Sequence, residues 1–266
     1  MKSSVHEKIV LVLNASSATG LAQSLYLRRK GYRTIGLLEG SPRAGVDLPF
    51  EPILTSVSEE DSLQTIQKIM SSLRRLDAVI SWPPPFLLAA SDELQDDEIG
   101  RFLSAHLIRI LKMETLLLQH MRAAGGGKLI NIVSAPAQRA LSCLGLYQAT
   151  QAAIRAWSEA TSRELASVGV FISVVECGRI HGASAKLTLP ARPLKRRDHD
   201  RLATMEGLVA GDRHWVGDEI LVEKVERILQ ESKPKAYYAA DRTVGLRSFI
   251  GRLLRLFLGT GARGGT

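Results

Sequence analysis

Short, continuous apolar runs alternate along this chain with longer stretches whose apolar residues recur at helical spacing. Runs that are apolar on both faces fit strands buried in a parallel sheet, and the helical stretches fit the connections between them. The pattern predicts strands over Lys8–Leu13, Arg33–Leu38 (ending at Glu39), Leu76–Ile80, Lys128–Ser134 and Val170–Glu176, with a short one near Pro52–Ser56. It predicts helices over Leu21–Lys30 (closed by Gly31), from Ser58 to Leu73, from Asp96 to Ala124 (closed by Gly125–Gly127), from near Tyr147, and over Val216–Ser232. Ser58 is the N-cap type of residue, and Glu59, Glu60 and Asp61 favour the positive end of a helix dipole. A last strand, Lys235–Ala239, follows.

Strand and helix alternate without a linker or an internal repeat, so the expected fold is a single α/β domain spanning residues 1–266. Its architecture is a doubly wound, Rossmann-like parallel sheet with helices on both faces. Residues 180–215 are irregular and polar and are expected to cover the substrate. In the basic segment 242–266, Leu246, Phe249, Ile250, Leu253, Leu254 and Phe257 share one helical face, with Arg247, Arg252 and Arg255 mostly opposite.

Composition narrows the field. A chain with 45% hydrophobic and 23% charged residues is expected to be soluble and globular, and its cysteine usage fits free thiols in a reducing, cytoplasmic setting. No secretory signal is evident at the N-terminus, and no apolar run is long enough to span a bilayer. The net charge of +8 could draw the tail to an anionic membrane surface, placing the protein peripherally on it, or to an acidic carrier. A nucleic-acid motif does not accompany the charge, so nucleic acid is not an expected partner. The two cysteines, Cys143 and Cys177, lack metal-ligand spacing, and no metal is expected.

The chemistry concentrates between Lys128 and Gly178. Ser134 closes a buried strand, Tyr147 follows thirteen positions later at the start of a helix, and Gln151 lies one helical turn beyond it on the same face. The Ser/Tyr spacing, with its flanking strand and helix, resembles the active site of the short-chain dehydrogenase/reductase family, and the resemblance extends over residues 8–240. It implies a serine that orients a substrate oxygen and a tyrosine that exchanges a proton with it. The family's lysine, four residues after the tyrosine, is replaced here by Gln151, which supplies no positive field to make the phenol acidic. His106 falls where the family has an asparagine, and a histidine titrating near neutrality could serve as acid or base there. Cys177 reads as a small buried filler, and His181 as a lesser candidate facing the same cleft.

The resemblance places a dinucleotide at the turn after the first strand. The family's Thr-Gly-x-x-x-Gly-x-Gly corresponds to Leu13, Asn14, Ala18 and Gly20, with Ser16 and Ser17 inside the turn. Asn14 tolerates the left-handed backbone that such a turn needs. Glu39 stands where an acid would bond the adenosine ribose diol and favour NAD over NADP. Ser56 replaces an aspartate that grips adenine, and Ser81-Trp82-Pro83-Pro84 replaces Asn-Asn-Ala-Gly, with Trp82 expected in the space of an adenosine.

These departures predict loss of ordinary redox chemistry and no bound cofactor. One reading is a non-redox enzyme (cyclase, dehydratase or isomerase) acting on an apolar small molecule through Tyr147, Ser134 and His106. Another is a non-catalytic subunit, in a homo-oligomer or paired with an active family member. The alternative is an oxidoreductase of a bulky hydrophobic alcohol or ketone, with NAD(H) or NADP(H) still bound.

Overall fold

A computed structural model describes residues 7–40, 48–56, 58–84, 87, 89–92, 94–134, 144–177, 179–180, 215–216 and 218–240. In chain order these form β1 (Ile9–Leu13), α1 (Ala18–Arg29), β2 (Arg33–Glu39), β3 (Glu51–Thr55), α2 (Glu59–Ser72), β4 (Ala78–Ser81) and α3 (Asp96–Leu103). A π-helical turn (Ser104–Ile108) leads into α4 (Arg109–Ala123), followed by β5 (Gly127–Ser134), α5 (Gly145–Leu165) and β6 (Val170–Cys177). The short strands β7 (Arg179–Ile180) and β8 (Trp215–Val216) pair with each other, and α6 (Asp218–Gln230) and β9 (Tyr237–Ala239) complete the described fold.

The main sheet has seven strands in the order β3-β2-β1-β4-β5-β6-β9, with every neighbouring pair parallel. This is the doubly wound fold that the sequence pattern predicts. Period-two alternation explains how each strand serves two cores. Val10 and Val12 of β1 join Ile80, Ile130 and Ile132 beneath α1 and α6. Leu11 and Leu13 instead join Val79 and Leu129 beneath α2 and α4. These side chains are almost fully buried, and each contributes about 1.5–3 kcal/mol relative to exposure.

The helix ends follow local chemistry. Ser58 Oγ accepts from the Asp61 amide at 3.2 Å, making the expected N-cap of α2. α1 begins three residues before the expected Leu21, because Ser17 Oγ accepts from the Gly20 amide at 3.0 Å and caps the helix there. The expected helix from Asp96 to Ala124 is present but carries the π turn, which its apolar spacing did not announce. Among the described residues, no helix is long and apolar enough to cross a membrane. Most of the proposed substrate-covering region 180–215, including His181, lies outside the described residues, as do Cys143 and the basic tail 242–266.

Candidate active site

Strand order reverses between β1 and β4, and in sheets of this kind ligands bind in the crevice outside the carboxyl ends of the strands at that point. The turn after β1 is built to fill little space. Asn14 adopts φ 56°, the left-handed conformation expected of it. Its side-chain Nδ2 donates to the Pro83 carbonyl at 3.2 Å, tying the turn to the segment after β4. A Cβ at Gly20 would stand 2.3 Å from the Asn14 carbonyl oxygen, so no other residue fits there undisturbed. Ser16 fastens the turn to the end of β2, its Oγ accepting from the Glu39 amide at 2.6 Å. Ser17 Oγ donates to the Asn14 carbonyl at 2.9 Å, and Ala18 is the first residue of α1. These contacts hold the Asn14–Gly20 turn tight at the end of β1.

Glu39, at the end of β2, behaves differently from a lone acid. Its carboxylate accepts from Nη2 of Arg109, a residue the sequence analysis passed over. Arg109 is the first residue after the π turn, and its side chain is 3% exposed against 24% for Glu39. Its Nη1 donates to Ser62 Oγ at 3.2 Å and its Nε to the Ala105 carbonyl at 3.1 Å. The signal that could have found it is a charged residue in phase with the buried Met113 and Leu117 of the same helix. Such a residue requires a partner when buried. Ser56 takes no part in this cluster through its own side chain; its Oγ bonds Ser58 Oγ at 2.9 Å beside the α2 cap.

Trp82, the first residue after β4, is 2% exposed and belongs to the core beneath α1 and α6, with Val12, Ala15 and Leu38. Ser81 itself is buried in the sheet, paired with Leu13 and Asn131.

At the chemical end, Ser134 is the last residue of β5 and Tyr147 lies in the first turn of α5, both buried. Tyr147 packs with Leu87 and Phe102. Burial drives its phenol well above the ordinary tyrosine value, and the adjacent Cys177 adds to the rise. The Ser134 hydroxyl lies close enough to offset part of it, although its Oγ makes no hydrogen bond of normal geometry. Gln151 is fully buried; its Oε1 accepts from the Ser134 amide at 3.2 Å. Among the described residues its buried Nε2 has no partner. Cys177 is the buried filler expected, with Sγ donating to the Val133 carbonyl at 3.3 Å.

His106 sits within the π turn, its ring 4.6 Å from that of Phe102. Burial, reinforced by the Arg109 charge, lowers its pKa to about 4. The expected titration near neutrality is thereby removed, and His106 is a neutral imidazole at pH 7. No cluster of potential metal ligands occurs among the described residues.

A nicotinamide dinucleotide fits what these residues offer. Among the described residues Gln151 Nε2 is a buried donor without a hydrogen-bond partner, and such atoms are rare unless a ligand or water completes them. The tight turn at Asn14–Gly20 and the partly open carboxylate of Glu39 lie at the other end of the same sheet edge.

Comparison with known proteins agrees with this geometry. A family model described as short chain dehydrogenase matches residues 8–191. The chain is similar to a 3-ketodihydrosphingosine reductase of Bacteroides thetaiotaomicron, with 23% identity over 171 residues. That match covers 64% of this chain and 63% of the relative's own length. A short-chain dehydrogenase from Streptomyces avermitilis superposes with a TM-score of 0.78 at 21% identity, covering 97% of this chain and 100% of the other. A 3-ketoacyl-(acyl-carrier-protein) reductase from Brucella melitensis, complexed with NADH, gives a TM-score of 0.70 at 15% identity, covering 89% and 96%. Both structures share the fold.

Proposed function

The chain belongs to the short-chain dehydrogenase family, and from that premise we propose that it is an NAD(P)(H)-dependent oxidoreductase that reduces a ketone on a bulky apolar substrate. This is the alternative reading of the sequence. It fits the comparisons better than loss of redox chemistry, because the matching family and the relatives named above are dehydrogenases and reductases. The observation that carries it is the buried pair of Ser134 and Tyr147 at the end of β5 and the start of α5, with Gln151 on the same helical face.

A nicotinamide in the cleft would supply hydride to the carbonyl carbon. Tyr147 would give its phenolic proton to the carbonyl oxygen as negative charge develops there, and the phenolate left behind takes a proton from water before the next turnover. Ser134 Oγ, beside the Tyr147 phenol, donates a hydrogen bond to that oxygen and orients it. Gln151 holds the end of β5 through the Ser134 amide, and its Nε2 offers one donor to a ribose hydroxyl. Gln151 brings no positive charge to lower the phenol's pKa, and burial raises it, so Tyr147 is protonated throughout the physiological range. A protonated phenol supplies the proton that ketone reduction consumes, and burial makes it a weaker acid than an ordinary tyrosine. The ketone function and apolar character of 3-ketodihydrosphingosine, named for the Bacteroides relative, support this substrate class.

Calorimetric titration with NADH and NADPH, followed by turnover of a long-chain 3-ketone, tests the reading. Binding at tens of micromolar or tighter and a loss of about 10²–10⁴-fold in turnover for Tyr147→Phe, with cofactor binding kept, is the expected result. Absence of binding by both nucleotides at millimolar concentration would sink the proposal and return the choice to a cofactor-free enzyme or a non-catalytic subunit.

A further inference from the structure

The end of β2 carries a buried cation directly behind its acid. Arg109 spans three elements: Nη2 reaches Glu39, Nη1 reaches Ser62 in α2, and Nε reaches Ala105 in the π turn. A π turn inserts one extra residue and so re-phases the helix that follows it by about 100°. The backbone shows the wide register directly, the Arg109 amide donating to the Ser104 carbonyl. Arg109 emerges from this turn facing the sheet, where its charge lies behind that of Glu39. Glu39 has one oxygen on Arg109 and remains partly exposed, while Arg109 is closed off from solvent.

From this geometry we infer that Arg109 is a specificity-determining residue, and that Glu39 and Arg109 together form a discriminator of zero net charge at the adenosine ribose. The inference rests on the reading that the cleft takes a nicotinamide dinucleotide. An isolated carboxylate at this place accepts hydrogen bonds from a ribose diol and repels a 2′-phosphate. With Arg109 behind it, Glu39 keeps an acceptor for the diol, while the repulsion felt by a phosphate is largely cancelled. The pair therefore admits NADH and NADPH with similar affinity. The acid read from the sequence would, alone, select NADH.

The test is the ratio of dissociation constants for NADH and NADPH, measured by calorimetry on the full chain, with thermal melting as a check on folding. In the wild type the two constants should lie within about tenfold of each other, since a charge pair contributes little net field. Glu39→Gln leaves Arg109 uncompensated and should shift the ratio about tenfold or more toward NADPH. Arg109→Gln leaves Glu39 uncompensated and should shift it by a similar factor toward NADH. A purely structural role for Arg109 would weaken both nucleotides together and leave the ratio in place. Ratios unchanged within about twofold in both variants would overturn the inference while leaving the proposed activity intact. If Arg109→Gln does not fold, Glu39→Gln decides alone, because Glu39 is partly exposed and the substitution keeps its shape. Failure of both nucleotides to bind the wild type would remove the proposed activity and this inference together.

Discussion

Glu114 offers a prediction whose size can be worked from the structure. It lies on the buried face of α4, fully inaccessible, with Asn131 Nδ2 donating to its Oε2 at 3.3 Å. Burial raises its pKa from 4.5 to about 7, and the Asn131 amide and the nearby Trp157 indole offset only part of the rise. The folded state therefore favours the protonated acid. Its stabilising contribution is complete below the unfolded value near 4.5, declines as pH rises, and is lost above about 7. At about 1.4 kcal/mol for each pH unit, the interval corresponds to about 3 kcal/mol. Glu114→Gln removes the charge and keeps an amide beside Asn131. At pH 8 the variant should be more stable than wild type by up to about 3 kcal/mol, near 6 °C in melting temperature for a chain of this size. At pH 5, where Glu114 is mostly protonated, the two should differ by less than about 1 kcal/mol. Urea denaturation of both proteins at the two pH values measures the difference directly. An identical effect at both pH values would refute the reasoning, because the charge would then not be what the interior resists.

Three other outcomes follow from named contacts. Gly20→Ala should lower nicotinamide nucleotide affinity by calorimetry at least tenfold, about 1.4 kcal/mol, since its Cβ would press on the Asn14 carbonyl at 2.3 Å. Glu176→Ala removes a buried carboxylate that accepts from Arg155 Nη1 at 3.0 Å and from the Tyr237 hydroxyl at 2.8 Å. Arg155 keeps its 3.1 Å pair with Glu159, so the loss should cost about 1–3 kcal/mol in chemical denaturation. Ketone reduction should have a flat kcat between pH 6 and 9, measured in the Glu114→Gln background so that this carboxyl does not contribute. His106 at about 4 and Tyr147 above its ordinary range both lie outside that window, and a bell-shaped profile would contradict the assignment.

The sheet was legible because parallel strands buried on both faces leave a run with almost no polar residue, as in Val10–Leu13. Ser58 and Gly31 marked helix ends for reasons that act within a few residues, and these held. Ser134, Tyr147 and Gln151 could be placed together because a strand end and a helical turn fix them locally. The π turn escaped notice because apolar residues on both sides of Ser104–Ile108 still satisfy helical spacing. The burial of Trp82 was hidden for a related reason, since it depends on core partners distant in sequence, here Val12, Ala15 and Leu38. Arg109 and Glu114 were visible as charges on an apolar helix face, yet their meaning depended on Glu39 and Asn131, which lie on other elements.

These placements divide the site electrically. At the nucleotide end, Arg109 and Glu39 bring opposite charges together at the sheet edge. At the chemical end the corresponding groups are neutral at pH 7: the Tyr147 phenol, the His106 imidazole and the Gln151 amide. Replacing the family's lysine by glutamine thus does more than delete a ribose contact. It removes the charge that would let a tyrosine act as a base, while leaving the proton that a forming alkoxide needs. Loss of the lysine is therefore compatible with proton donation by Tyr147 on the proposed reading, at a rate reduced because burial makes the phenol a weaker acid.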